Sequence, residues 1–130
     1  MSLAALVVDD SMLIRHTVCR FLEERGFAVD SASNGQEALQ MLERKLPDLI
    51  VTDMQMPEMG GGELIAALKA KTQTAAIPII VLTGRKSSAD KIDERMNASI
   101  IYKDINIQEQ LDSAVDALFG SRGQATGAGS

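Results

Sequence analysis

Leu49-Ile50-Val51-Thr52-Asp53-Met54-Gln55-Met56-Pro57-Glu58-Met59-Gly60-Gly61 is the stretch from which the rest of the chain can be read. It opens as an apolar run, the pattern of a strand buried on both faces. The run stops at one carboxylate, Asp53, and a turn-rich segment with Pro57 and glycines follows. A buried strand that delivers an acid to its carboxyl end is a common start for a site in an α/β protein. Such a site needs polar partners at the same edge, so the ends of the other strands decide the matter.

Working outward, Leu3 to Val8 reads as the first strand and stops at Asp9-Asp10-Ser11. Ile14, Val18, Phe21 and Leu22 recur at helical spacing, which predicts an amphipathic helix from Ser11 to about Arg25, closed by Gly26. Phe27 to Ala32 alternates around Val29 as a half-buried second strand. Asn34 with Glu37 resembles a capping box, and its helix runs to about Lys45, burying Ala38, Leu39 and Leu42. The third strand is Asp48 to Thr52, leading to Asp53, and a helix from about Gly61 to Ala70 buries Leu64, Ile65 and Leu68.

The polar Lys71-Thr72-Gln73-Thr74 segment reads as a loop leading past Pro78 to the fourth strand, Ile79 to Leu82, which Thr83-Gly84 ends. Ser87 is placed as the cap of a short helix carrying Ala89, Ile92 and Met96 on one face. Ser99 to Tyr102 forms the last strand, ending at Lys103. Ile107, Leu111, Val115 and Leu118 make the apolar stripe of a final helix. Five strands alternating with five helices predict an α/β fold, a flavodoxin-like doubly wound parallel sheet of order 2-1-3-4-5. One domain covers 1–119, and the Gly-, Ser- and Ala-rich residues 120–130 read as a disordered tail or linker.

Composition bounds the function. The 130 residues are 45% hydrophobic and 24% charged, an ordinary globular balance, and only 3% aromatic, so the core is aliphatic. A net charge of −5 with scattered Lys and Arg argues against a nucleic-acid surface. No apolar run approaches the ~20 residues that span a bilayer, and nothing at the N-terminus suggests export. The single Cys19 fits a reducing compartment, so a cytoplasmic location is expected.

The strand ends converge. The first ends in Asp9-Asp10, the third in Asp53, the fourth in Thr83 and the fifth in Lys103, and a parallel sheet places all of them on one edge. The second strand, off the switch point, ends in Ala32-Ser33 without charge. Carboxylates crowded together repel one another, and a divalent cation removes that conflict. Oxygen donors without His or Cys partners favour Mg²⁺ or Mn²⁺ over zinc. A cation, the Lys103 ammonium and the Thr83 hydroxyl together suit a phosphoryl group, with the central Asp53 as nucleophile giving an aspartyl-phosphate.

Taken together, Val7-Val8-Asp9-Asp10-Ser11, Asp53-x-x-Met56-Pro57-x-Met59-x-Gly61, Leu82-Thr83-Gly84 and Lys103 resemble the receiver domains of two-component response regulators, over about residues 4–119. The resemblance implies that a histidine kinase or phosphotransfer protein phosphorylates Asp53 with Mg²⁺ present. It implies that Asp10, Asp53 and the Gln55 carbonyl ligate the metal, with Asp9 helping through water. It implies that Thr83 and Lys103 hold the phosphoryl group, and that a downstream effector or fused output domain reads the result. Homodimerisation is left open.

The chain departs from the family pattern in three places. Asp104 stands where a Pro usually follows the lysine, so a trans bond or a rearranged loop is expected. Ile100 stands where the family usually has the aromatic switch residue, with Tyr102 on the same strand parity as a surrogate. The segment between Thr83 and Lys103 is shorter than usual. These departures motivate one alternative, a receiver-like interaction module with altered switching. A second, a Mg²⁺-dependent phosphohydrolase, has Gln55 against it, since that position would need a second acid. His16 reads as a surface or packing residue, Cys19 as a packed thiol, and Met54, Met56 and Met59 as packing around the turn. Gln55 and Arg85 are expected to border the crevice, either tuning access of the hydrolytic water or simply solvated.

Overall fold

The computed structural model describes residues 3–53, 61–83, 98–103 and 106–119. Its elements, in chain order, are β1 (Ala4–Val8), α1 (Met12–Glu24), β2 (Ala28–Ala32), α2 (Gly35–Leu42), β3 (Leu49–Asp53), α3 (Gly61–Ala70), α4 (Thr72–Ala75), β4 (Ile79–Thr83), β5 (Ala98–Tyr102) and α5 (Ile107–Phe119). The strands form one parallel sheet in the order β2-β1-β3-β4-β5, as expected.

Strand parity sorts the core into two layers. Ala5, Val7, Leu49, Val51, Ile80, Leu82 and Ile101 pack with Val18 and Leu22 of α1 and Leu111 and Val115 of α5. The intervening residues Leu6, Val8, Ile50, Ile79 and Val81 pack on the other face with Ala38 and Leu42 of α2 and Leu64, Ile65 and Leu68 of α3. Every residue of β3 and β4 is buried, which explains why these strands read as continuous apolar runs rather than alternating ones.

The helix ends follow local chemistry. The Ser11 hydroxyl caps α1 by accepting from the Ile14 N–H at 3.4 Å. At the other end Gly26 takes φ +96°, and the Phe27 and Gly26 N–H groups donate to the Leu22 and Glu23 carbonyls, both at 3.0 Å. That is the Schellman arrangement the glycine predicted. Asn34 Oδ1 caps α2 by accepting the Glu37 N–H at 2.8 Å. The Glu37 carboxylate reaches back to the Ser33 N–H at 2.7 Å, one residue earlier than in a standard capping box.

Four expectations are corrected or left aside. The Lys71–Thr74 segment is not all loop: residues 72–75 form the one-turn α4, held by the Thr74 hydroxyl donating to the Leu68 carbonyl at 2.5 Å. Helix α2 ends at Leu42 rather than near Lys45. The helix expected from Ser87 and the segment 120–130 lie outside the described residues. The five helices among the described residues therefore include α4.

Gly26→Ala is expected to cost about 1–2 kcal/mol of unfolding free energy. A Cβ there meets no atom within 4 Å, so the cost comes from the backbone angle alone. Urea denaturation is expected to report a lower midpoint with an unchanged slope, and a smaller loss for Gly26→Asn.

Candidate functional site

Register delivers the strand-end residues to one place. Val8 pairs with Thr52, so Asp9 and Asp53 each stand one step further along neighbouring strands. Thr83 pairs with Tyr102, and the Lys103 N–H donates to the Thr83 carbonyl at 2.8 Å. Asp9, Asp53 and Lys103 continue the parity of Val7, Val51 and Ile101, so all three lean toward the α1/α5 face. Thr83 continues the parity of Ile79 and Val81, on the other face with its partner Tyr102.

Their ionic contacts follow. Lys103 Nζ lies 3.0 Å from Asp53 Oδ2 and 3.2 Å from Asp9 Oδ2. Asp9 is fully buried, Asp53 is 5% exposed and Thr83 is buried. Burial by itself lowers the pKa of the Lys103 ammonium. Hydrogen bonding to Asp53 and the charges of Asp9 and Asp53 together outweigh that, and the pKa is raised. The stabilisation from this contact is complete below the ordinary lysine pKa and is lost only as pH rises through the raised folded value.

Asp9 is anchored from several sides. Its Oδ1 accepts the Ser11 N–H at 2.8 Å, its carbonyl accepts Arg15 Nη1 at 2.6 Å, and its N–H donates to the Ala32 carbonyl at 3.1 Å. Its Oδ2 is within ion-pair distance of Lys103 yet accepts no aligned hydrogen bond. One carboxylate oxygen from each of Asp9, Asp10 and Asp53 lies within 4.8 Å of the others, with Asp10 exposed to solvent. Three acid donors, no nitrogen or sulfur, and a buried oxygen short of partners fit a hard divalent cation.

The structure thus brings together Asp9, Asp10, Asp53 and Lys103, with the Thr83 backbone joined to that of Lys103. Gln55, Arg85, Asp104 and Met54, Met56 and Met59 lie outside the described residues. Ile100 and Tyr102 are both partly buried, and His16 is exposed. The Cys19 thiol is partly buried, and burial, reinforced by Glu23, raises its pKa, which agrees with an unreactive packed thiol. Sequence reasoning missed Arg15 and Gln110. Arg15 supports the turn that carries Asp9. The Gln110 side-chain amide hydrogen-bonds the Tyr102 backbone at 2.9 and 2.8 Å.

A five-stranded parallel 2-1-3-4-5 sheet with an acid cluster and a lysine on its carboxyl edge defines a class, the doubly wound α/β domains with a charged site at the switch point. Residues 5–115 match the family "Response regulator receiver domain", and the chain belongs to that family. It is 34% identical over 119 residues to a gliding motility regulatory protein of Myxococcus xanthus, covering 89% of this chain and 15% of that one. It is 35% identical over 91 residues to response regulator Rre1 of Synechocystis, covering 69% and 39%. Among solved structures, the chemotaxis response regulator CheY4 of Vibrio cholerae superposes with a TM-score of 0.82 at 31% identity, covering 91% of this chain and 99% of that one. The response regulator TrrA of Thermotoga maritima, solved in complex with Mg²⁺-BeF, gives 0.79 at 30% identity, covering 91% and 99%. The chain spans well under half the length of both curated relatives. It is a receiver domain of two-component signalling.

Lys103→Met leaves the buried Asp9 carboxylate without its cation. The expected loss is about 2–3 kcal/mol, at or below the usual cost of breaking a buried pair, because Lys103 keeps 21% exposure. Urea unfolding in metal-free buffer at neutral pH measures it.

Proposed function

We propose that this receiver domain accepts a phosphoryl group on Asp53 from a histidine kinase or phosphotransfer protein, in a reaction that depends on Mg²⁺ or Mn²⁺. The observation that carries the reading is the Lys103 ammonium, 3.0 Å from Asp53 and 3.2 Å from a buried Asp9 oxygen that still lacks an aligned hydrogen bond. Asp9, Asp10 and Asp53 would hold the cation, together with the Gln55 backbone carbonyl. Bound there, the cation would supply positive charge against the phosphoryl oxygens.

The residues divide the work. An Asp53 carboxylate oxygen attacks the phosphorus of the donor, an O–P bond forms, and the P–N bond to the donor imidazole breaks with its electron pair leaving on the nitrogen. Lys103 neutralises charge on the transferred group, and because its pKa is raised it stays protonated across the physiological range. The Thr83 hydroxyl donates a hydrogen bond to a phosphoryl oxygen. Later attack by water on phosphorus breaks the O–P bond, releases inorganic phosphate and restores the carboxylate. The domain therefore assists its own modification and its reversal without turning over a separate substrate.

The modification acts as a switch by giving Lys103 and Thr83 a new partner, which favours a second arrangement of the domain over the first. The receiver unit is residues 1–119, with 120–130 as a tail or linker, and an effector protein or output domain reads the change in the cytoplasm. Among the described residues no helix is long and apolar enough to cross a membrane.

Incubation with acetyl phosphate is expected to add one phosphoryl mass in the presence of Mg²⁺ and none with EDTA or in Asp53→Asn. Uptake by Asp53→Asn, or uptake without a divalent cation, would sink the reading. Changed amide exchange around residues 84–104 in the phosphoprotein marks a switch; modification without such change identifies a module that binds without switching.

A further inference from the structure

We propose that Gln110 is a positioning residue that holds the Lys103 ammonium in the phosphoacceptor site. The proposal rests on the reading of Asp53 as the phosphoacceptor and deepens it. Among the described residues, strand β5 is the last strand of the sheet and pairs with β4. Along it, the Lys103 N–H points inward to the Thr83 carbonyl at 2.8 Å. In a parallel ladder the neighbouring residue presents its N–H and C=O outward, toward the free edge. Those are the two groups of Tyr102 that Gln110 meets.

Gln110 Oε1 accepts the Tyr102 N–H at 2.9 Å, and Gln110 Nε2 donates to the Tyr102 carbonyl at 2.8 Å. The side-chain amide thus supplies one donor and one acceptor, as the backbone of a further strand would. The consequence for the site lies in one peptide unit. The Tyr102 carbonyl and the Lys103 N–H belong to the same planar group. Gln110 holds its oxygen and the Thr83 carbonyl holds its N–H, each at 2.8 Å. The plane that sets the direction of the Lys103 side chain is therefore fixed at both ends.

That matters in this chain because Asp104 follows Lys103. No proline ring there limits the backbone on the far side of the lysine. Gln110 is itself well placed to restrain it. It sits in the first turn of α5, where Asn106 accepts the Gln110 N–H on its carbonyl at 3.3 Å and the Glu109 N–H on its side chain at 3.4 Å. α5 is packed on the core through the buried Leu111 and Val115. The link therefore runs from a helix anchored in the core through one side chain to the backbone of the lysine.

The test compares Gln110→Leu, which removes donor and acceptor, with Gln110→Glu, which keeps the acceptor for the Tyr102 N–H and loses the donor. Gln110→Leu is expected to slow acetyl-phosphate modification of Asp53 about tenfold and to weaken beryllofluoride binding similarly. Mg²⁺ affinity, read by titration without phosphodonor, is expected not to fall, because a less firmly held ammonium competes less for the Asp9 and Asp53 carboxylates. Gln110→Glu is expected to fall between Gln110→Leu and the wild type. In a Lys103→Met background, Gln110→Leu is expected to cause no further slowing, because the residue it positions is gone. The same fold-loss with and without Lys103, or an equal loss of Mg²⁺ affinity, would mean a general structural role and overturn the proposal.

Two measurements on the unmodified protein stand apart from phosphorylation. Gln110→Leu is expected to speed amide exchange at Tyr102 and Lys103 and to move the Lys103 side-chain methylene resonances. Unchanged resonances overturn the positioning role even if the wild type takes up phosphate. A wild type that takes up none overturns the phosphoacceptor reading, and these resonances still decide whether Gln110 orients Lys103.

Discussion

The structure depends on keeping like charges close together at the edge of an apolar sheet. Asp9 and Asp53 sit at neighbouring strand ends, one fully buried and one nearly so. In a medium of low polarisability such a pair repels far more strongly than on a surface. Lys103 lies within ion-pair distance of both and offsets the repulsion. The compensation is incomplete, since Asp9 Oδ2 still lacks an aligned hydrogen bond and Asp10 adds a further carboxylate at the rim. A site held in this condition responds to any ligand that changes the balance of charge.

The sheet makes this arrangement possible because its core is indifferent to what happens at its edge. Both faces of β3 and β4 are filled with aliphatic side chains, and helices cover them from either side. Strand register then acts as a ruler. Once Val8 is beside Thr52 and Thr83 beside Tyr102, the positions of Asp9, Asp53 and Lys103 are set to within a side chain's reach. The remaining precision comes from polar anchors behind the site. Ser11 and Arg15 hold the turn after β1, and Gln110 and Thr83 hold the peptide before Lys103.

The far end of α1 carries a second long-range connection. Arg25 pairs with Asp112 and with Asp116 of α5, the latter at 2.8 Å, and its guanidinium lies 5.8 Å from the Phe21 ring centroid. Phe27 and Phe119 meet edge to face at 5.6 Å nearby. These contacts lock α5 to α1 at the end of the molecule away from the acid cluster, while Gln110 ties the start of α5 to β5. Helix α5 is therefore held at both ends, which makes it a fixed support for Lys103.

By itself the sequence determined the strands, the helical stripes, the helix-end signals at Asn34 and Gly26, and the convergence of Asp9, Asp10, Asp53, Thr83 and Lys103 on one edge. All of these rest on periodicity or on local chemistry between residues a few positions apart, and the chain displays both directly. Only the tertiary structure decided that Arg15 supports Asp9, that Gln110 closes the edge at Tyr102, that Arg25 reaches Asp112 and Asp116, and that residues 72–75 coil into a turn around Thr74. Except for α4, these are single polar side chains that satisfy groups brought near by folding. The α4 turn rests on Thr74 reaching the Leu68 carbonyl in the last turn of α3. A lone Gln or Arg on a helix carries no pattern that names its partner, because that partner is set by how the elements pack.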